Sequence, residues 1–175
     1  MEEIKLNLKF RVGNTADLEQ IKNLTWLAYS QFQNILSEEN ILAWKNSLTY
    51  EKTYQELFET GACFLCEKEN KIVGSAFLIP HGNPFKWFDA DCCYIRLVAV
   101  HPDFEGNGIG KRLTEVCLNH AQETGEKIIA LHTSEFQNAA RHIYEKMGFQ
   151  KQIEFEQFGK TYWLYKLQLD KNDKD

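Results

Sequence analysis

Between Leu18 and Phe32, apolar residues recur at Leu18, Ile21, Leu24, Ala28 and Phe32, with Trp26, Leu27 and Tyr29 beside them. Steps of three and four set the recurring positions on one side of a 3.6-residue helix. Asn14, Thr15 and Asp17 stand just ahead of the run and are helix-start residues. A helix is therefore predicted to about residue 33, after a short strand at NLKFRV (7–12). Gln33 to Ser37 breaks the period. Ser37 then caps a second helix carrying Ile41, Trp44, Lys45 and Leu48, and a third short helical piece follows near Thr53–Glu59.

From Gly61 the texture changes to short apolar runs. ACFLCEK and KIVGSAFLIP flank Glu69-Asn70, which predicts an antiparallel hairpin. HGNPFKWFDAD (81–91) reads as a loop and CYIRLVAV (93–100) as a strand. Ile109, Leu113, Val116, Cys117 and His120 share one face of a helix over about 109–123, ended by Thr124-Gly125. KIIALHT (127–133) is a buried-looking strand. Ala140, Ile143, Tyr144 and Met147 mark a further helix closed by Gly148, placed as a C-cap. Two strands near 150–157 and 161–169 turn at Gly159-Lys160.

The order β-α-α-β-β-β-α-β-α-β-β, with the extra helical piece, implies a parallel crossover in the middle and antiparallel hairpins on either side. That is a mixed α/β sheet of about seven strands with helices on both faces. Length predicts one domain over residues 1–169, since no Pro/Gly/Ser-rich linker divides the chain. The tail DKNDKD (170–175) is expected to fray.

Composition narrows the class. The formal net charge of −5 and a sequence pI near 5.6 argue against a nucleic-acid partner, which would require a basic patch. MEEIKLNLKF lacks the basic and apolar regions of a signal peptide, and no apolar run approaches the length of a membrane span. The odd count of five cysteines favours reduced thiols and a cytoplasmic protein. Cys63 and Cys66 have half the spacing of a zinc site. They lie in a strand, however, where residues three apart point to opposite faces, so no metal is expected.

The chemistry concentrates in VHPDFEGNGIGKRL (100–113), where Gly106, Gly108 and Gly110 alternate between a strand and a helix start. One reading is a tight turn that needs glycine. The other is an anion site built from converging backbone N–H groups and a helix N-terminus, which the adjoining Lys111 and Arg112 favour. A P-loop fails, because Glu105 stands at its first glycine and Arg112 at its Ser/Thr. The dinucleotide fingerprint fails as well, because Lys111 replaces its last glycine.

A third pattern fits. The strand YIRLVAV, the turn His101-Pro102, the loop EGNGIGKRL and the run NAARHIYEKMGF (138–149) together resemble the GNAT N-acetyltransferase superfamily. The likeness is tight from Cys93 to Phe149 and elsewhere rests on element order. It implies a three-layer α-β-α fold and acetyl-CoA as co-substrate. Glu105 departs from the family loop, which carries Gln or Arg there, and sets an acidic side chain beside the expected pyrophosphate.

The resemblance implies that backbone groups of Val98 and Val100 pair with the pantetheine arm and that Gly106, Asn107, Gly108, Ile109, Gly110 and Lys111 hold the pyrophosphate, with Arg112 adding charge. Asn138 matches a residue that bonds the cofactor arm, and Tyr144 a tyrosine that protonates the departing thiolate. By spacing alone Tyr144 reads as core. A glutamate used as base by some relatives is Arg96 here. Arginine cannot act as a base at neutral pH; it would bind an acceptor carboxylate or pair with a neighbouring acid. His132, Glu135 and a water relay stay open as bases. The acceptor, a primary amine of a small molecule or a peptide, is expected near Trp26, Tyr29, Phe32 and Gln33, with Trp87 and Glu154 or Glu156 close by. The family also makes a homodimer an expectation. The alternative is a catalytically inactive CoA-binding module.

Overall fold

The structure, a computed structural model, describes residues 6–169; the expected frayed tail at 170–175 lies outside them. In chain order the elements are β1 (Lys9–Val12), α1 (Leu18–Ser30), α2 (Glu38–Thr49), α3 (Glu51–Thr60), β2 (Ala62–Lys68), β3 (Lys71–Ile79), β4 (Cys93–Val100), α4 (Ile109–Glu123), β5 (Ile128–Ser134), α5 (Asn138–Lys146), β6 (Gln150–Gln157) and β7 (Lys160–Gln168).

Local chemistry accounts for most of the boundaries. Asn14 Oδ1 accepts from the Ala16 N–H while Asp17 Oδ2 accepts from the Asn14 N–H, a reciprocal cap over the turn leading into α1. Ser37 Oγ accepts from the Asn40 N–H at the start of α2. Two details differ from the sequence expectation. α1 stops at Ser30, because Gln33–Ile35 forms a separate 3₁₀ turn. The third helical piece is a full ten-residue helix, divided from α2 by the extended backbone of Tyr50 alone.

The seven strands form one sheet in the order β1-β2-β3-β4-β5-β7-β6. β4 and β5 are parallel and every other neighbouring pair is antiparallel, as the crossover and hairpins predict. Alternation along β2 sends Cys63 and Leu65 to one core and Phe64 and Cys66 to the other. The first core packs Ile21 and Leu24 of α1 with Tyr54 and Leu57 of α3; the second packs Ile109 and Leu113 of α4 with Tyr144 of α5. The result is three layers, α-β-α. Gly74 lets α4 lie close on the sheet: a β-carbon there would come within 2.6 Å of Ile109 Cγ2. Among the described residues no helix is long and apolar enough to cross a membrane.

Candidate active site

The site begins as a fault in the sheet. On β3, Ser75 pairs with Ala99 and Phe77 with Arg96, so Leu97 and Val98 of β4 oppose the single Ala76. This is a β-bulge, and Leu97 takes a left-handed φ of 52° to make it. On its other side β4 pairs with β5 only at Cys93–Ile129 and Tyr94–Ala130. Beyond Tyr94 the two strands diverge and leave the β4 edge unpaired. The His101 N–H donates to the Val73 carbonyl at 2.8 Å. By strand alternation, the backbone groups of Val98 and Val100 therefore point away from β3, into the gap. Tyr29 Oη of α1 donates to the Val98 carbonyl at 3.1 Å.

The glycine loop lies at the end of that edge. Gly106 and Gly108 have φ of 77° and 76°, a region that L side chains disfavour, and a β-carbon on either would meet nothing within 4 Å. Gly108 is the N-cap of α4. The first intrahelical bond runs from the Arg112 N–H to the Gly108 carbonyl, so the N–H groups of Ile109, Gly110 and Lys111 have no partner within the helix. Asn107 is used internally, its Nδ2 donating to the Phe104 and Glu105 carbonyls. Glu105 Oε1 accepts from Gln31 Nε2 at 2.7 Å, which ties the acidic side chain to α1.

The gap opens into a cavity of about 540 Å³. Of the residues singled out in the sequence, Val98, Val100, Glu105, Gly106, Ile109, Gly110, His132, Asn138, Tyr144, Tyr29, Phe32 and Arg96 line it, and so does Trp87. Asn107 and Gly108 on the loop, and Lys111 and Arg112 in the first turn of α4, lie outside its lining. Trp26 is not on the wall either; its ring packs under Lys45 Nζ at 5.3 Å. Glu154 accepts from Trp163 Nε1 on the last hairpin, away from the lining. Asn138 opens α5, with its Oδ1 engaged by Arg141.

Three side chains define the electrostatics. Tyr144 is 6% exposed and its hydroxyl makes no hydrogen bond among the described residues; burial pushes its phenol up, so it stays protonated at neutral pH. Burial also holds Arg96 below the usual guanidinium range. His132 Nδ1 is sealed from solvent without a partner. Burial first, then the charges of Arg96 and Lys86, drive its imidazole down to about 4. Glu135 is exposed and does not line the cavity.

Several features escaped the sequence reading. The bulge at Leu97-Val98 carries no glycine or proline to mark it. Phe136 and Phe158 form an aromatic wall with Phe32 and Trp44, its ring centroids 5.3 to 6.4 Å apart. Phe158 joins them from the β6–β7 turn, where it takes a φ of 52°; the neighbouring Gly159 was the available sequence signal.

The pattern of the Acetyltransferase (GNAT) family matches residues 18–149. The chain is 30% identical over 124 residues to "Probable N-acetyltransferase camello" of Xenopus tropicalis, a match covering 70% of this chain and 52% of that protein. It thus spans about half the length of that relative. Among solved structures, it resembles the PaiA N-acetyltransferase of Thermoplasma acidophilum in complex with coenzyme A. There the TM-score is 0.73 at 15% identity, over 92% of this chain and 99% of that one. It also resembles the ribosomal-protein-S18-alanine N-acetyltransferase of Escherichia coli, with TM-score 0.72 at 16% identity, over 96% and 97% of the two chains. The chain belongs to the GNAT acetyltransferase family.

Proposed function

We propose that the protein transfers the acetyl group of acetyl-CoA to a primary amine of a small molecule or peptide. The observation that carries this reading is the divergence of β4 from β5 after Tyr94. It opens an unpaired strand edge between a glycine-capped helix start and a buried, protonated tyrosine. The coenzyme A bound by the Thermoplasma neighbour supports it.

The residues present fit the co-substrate. The edge at Val98 and Val100, where the Val98 carbonyl already accepts from Tyr29 Oη, offers its remaining donors and acceptors to an extended amide chain, as an added strand would. The unpartnered N–H groups at the start of α4 suit a pyrophosphate, and the space beside Gly106 and Gly108 lets a ligand reach the backbone. Lys111 and Arg112, exposed in the first turn of α4, add positive charge from outside. Asn138 meets the arm from the start of α5. When bound, acetyl-CoA supplies an activated thioester.

The chain's own residues then manage two protons. Tyr144 holds one at Oη for the departing sulfur. The second belongs to the acceptor: an alkylamine with pKa near 10.4 is neutral in only about one molecule in 2,500 at pH 7. The burial and positive charge that suppress the His132 imidazolium disfavour an ammonium in the same cavity. Neutral His132 accepts a hydrogen bond and orients the amine; it is too weakly basic to retain the proton, which leaves to water. We take the protein to act in the cytoplasm, with its cysteines as buried free thiols.

The test is release of free CoA from acetyl-CoA across a panel of primary amines. Turnover is expected, and Tyr144→Phe should lower kcat about 100-fold while leaving acetyl-CoA affinity within about twofold. Binding of acetyl-CoA without turnover on any amine would reduce the protein to a CoA-binding module.

A further inference from the structure

Arg96 is a half-buried cation without a counter-ion. Its guanidinium stacks 4.2 Å from the centroid of Phe85, and among the described residues it makes no hydrogen bond and no salt bridge. A guanidinium drawn this far from water is ordinarily paired, because a partly desolvated charge without a partner is costly. The position is held in place by its strand: Arg96 sits directly before the bulge and pairs across β3 with Phe77. The side chain faces the cavity, whose other charged residues are Lys86 and Glu105. Glu105 is already engaged by Gln31, and Lys86 is exposed at the rim, its Nζ also against Phe85. In a protein of net charge −5, this cavity is locally positive. Among aliphatic and neutral polar neighbours, four aromatic side chains also line it, Phe32, Phe136, Phe158 and, more exposed, Trp87.

We propose that the acceptor is a free amino acid with a bulky apolar side chain, and that Arg96 receives its α-carboxylate. This rests on the acetyltransferase reading above. A planar guanidinium with its donors in a fixed fork matches one carboxylate in charge and shape. The Phe85 ring beneath it fixes the fork before the ligand arrives, so little ordering is left to binding. The aromatic wall takes the side chain, and the α-amine is left to face Tyr144 and His132. The general reading of an amine acceptor requires no anion; an unpaired arginine in the wall does.

The deciding experiment uses a ligand that cannot be acetylated. 3-Phenylpropionate and its neutral isostere 3-phenylpropanamide are titrated calorimetrically into the protein, alone and saturated with CoA. In the wild type the carboxylate should bind at least about tenfold more tightly than the amide. The preference should vanish in Arg96→Gln and survive in part in Arg96→Lys, with CoA affinity unchanged in both. Equal binding of the two ligands, no binding of either, or a preference that outlasts Arg96→Gln would each overturn the proposal. The wild-type comparison decides even where Arg96→Gln does not fold. Transfer assays add a second reading: kcat/KM for L-phenylalanine should exceed that for phenylalaninamide, which stands in for a peptide N-terminus. Absence of transfer to every amine would count against the acetyltransferase reading; the carboxylate preference is measured independently of it.

Discussion

His132 reports on the cavity from a single side chain. Its Nδ1 has neither solvent nor partner, and protonation would set an imidazolium near Arg96 and Lys86. The folded state therefore binds its proton only near pH 4, whereas the unfolded chain binds one near pH 6.5. Between those values the unfolded state holds more protons, so the stability associated with this group is complete above about pH 6.5 and drains away toward pH 4. Urea denaturation of the wild type and His132→Gln at pH 7 and pH 4.5 checks this. The wild type should lose on the order of 2 kcal/mol more than the variant across that interval, and parallel pH dependences would refute it. What the sequence reveals at this scale is uneven. The glycines at 106 and 108 are legible because their backbone angles exclude most other residues. Arg96 is legible as a charge, but its lack of a partner is not, since that depends on what the fold leaves around it. Trp26 reads as readily as a pocket residue, and only its place under Lys45 takes it off the wall.

Between elements, Arg11 does the joining at the outer edge of the sheet. From β1 its Nη1 and Nη2 donate to both oxygens of Asp17, in the turn that starts α1, at 2.9 and 2.8 Å. Its Nε donates to Glu67 of β2 at 2.8 Å. The side chains of Asp17 and Glu67 are only 10% and 12% exposed. Removing the cation leaves two poorly solvated carboxylates without a counter-charge. Arg11→Met is expected to cost about 2 kcal/mol, below the range for fully buried pairs because the guanidinium is partly solvated. The effect should depend on pH in a particular sense. Arg11 lowers the Asp17 pKa from its ordinary 3.8. That stabilisation is present above about pH 4 and is lost as pH falls through the lower folded value. The gap between wild type and variant should thus be widest near neutrality and should close as pH falls through the lowered folded value, as read by denaturation curves at several pH values. Element identities are legible from periodicity and capping residues alone. The point where β4 leaves β5 is not: it follows from a bulge at Leu97, an ordinary apolar residue in a left-handed conformation that nothing in the pattern announces.

At the scale of the whole molecule, the candidate site lies where the two cores meet across a split sheet. α4 and α5 stand on one face and α1 on the other, and each contributes to the cavity wall. A ligand filling the split would bridge two halves of the sheet whose strand pairing is limited to the first two residues of β4. It should therefore stabilise the folded chain as a unit. Acetyl-CoA at about 100 times its Kd should add about 2.7 kcal/mol, which for a chain of this length raises Tm by roughly 5–10 °C. Gly108→Trp separates the loop's conformation from its ligand. Gly108 needs its positive φ, so the variant should melt lower without ligand, by strain of about 1–2 kcal/mol. The indole would project into the open space that the backbone presents, and the acetyl-CoA shift should disappear. A lower Tm with the shift intact would mean that the loop is a strained turn and that the pyrophosphate is bound elsewhere. Loss of the shift in a variant that still melts cooperatively would fix the co-substrate on the start of α4.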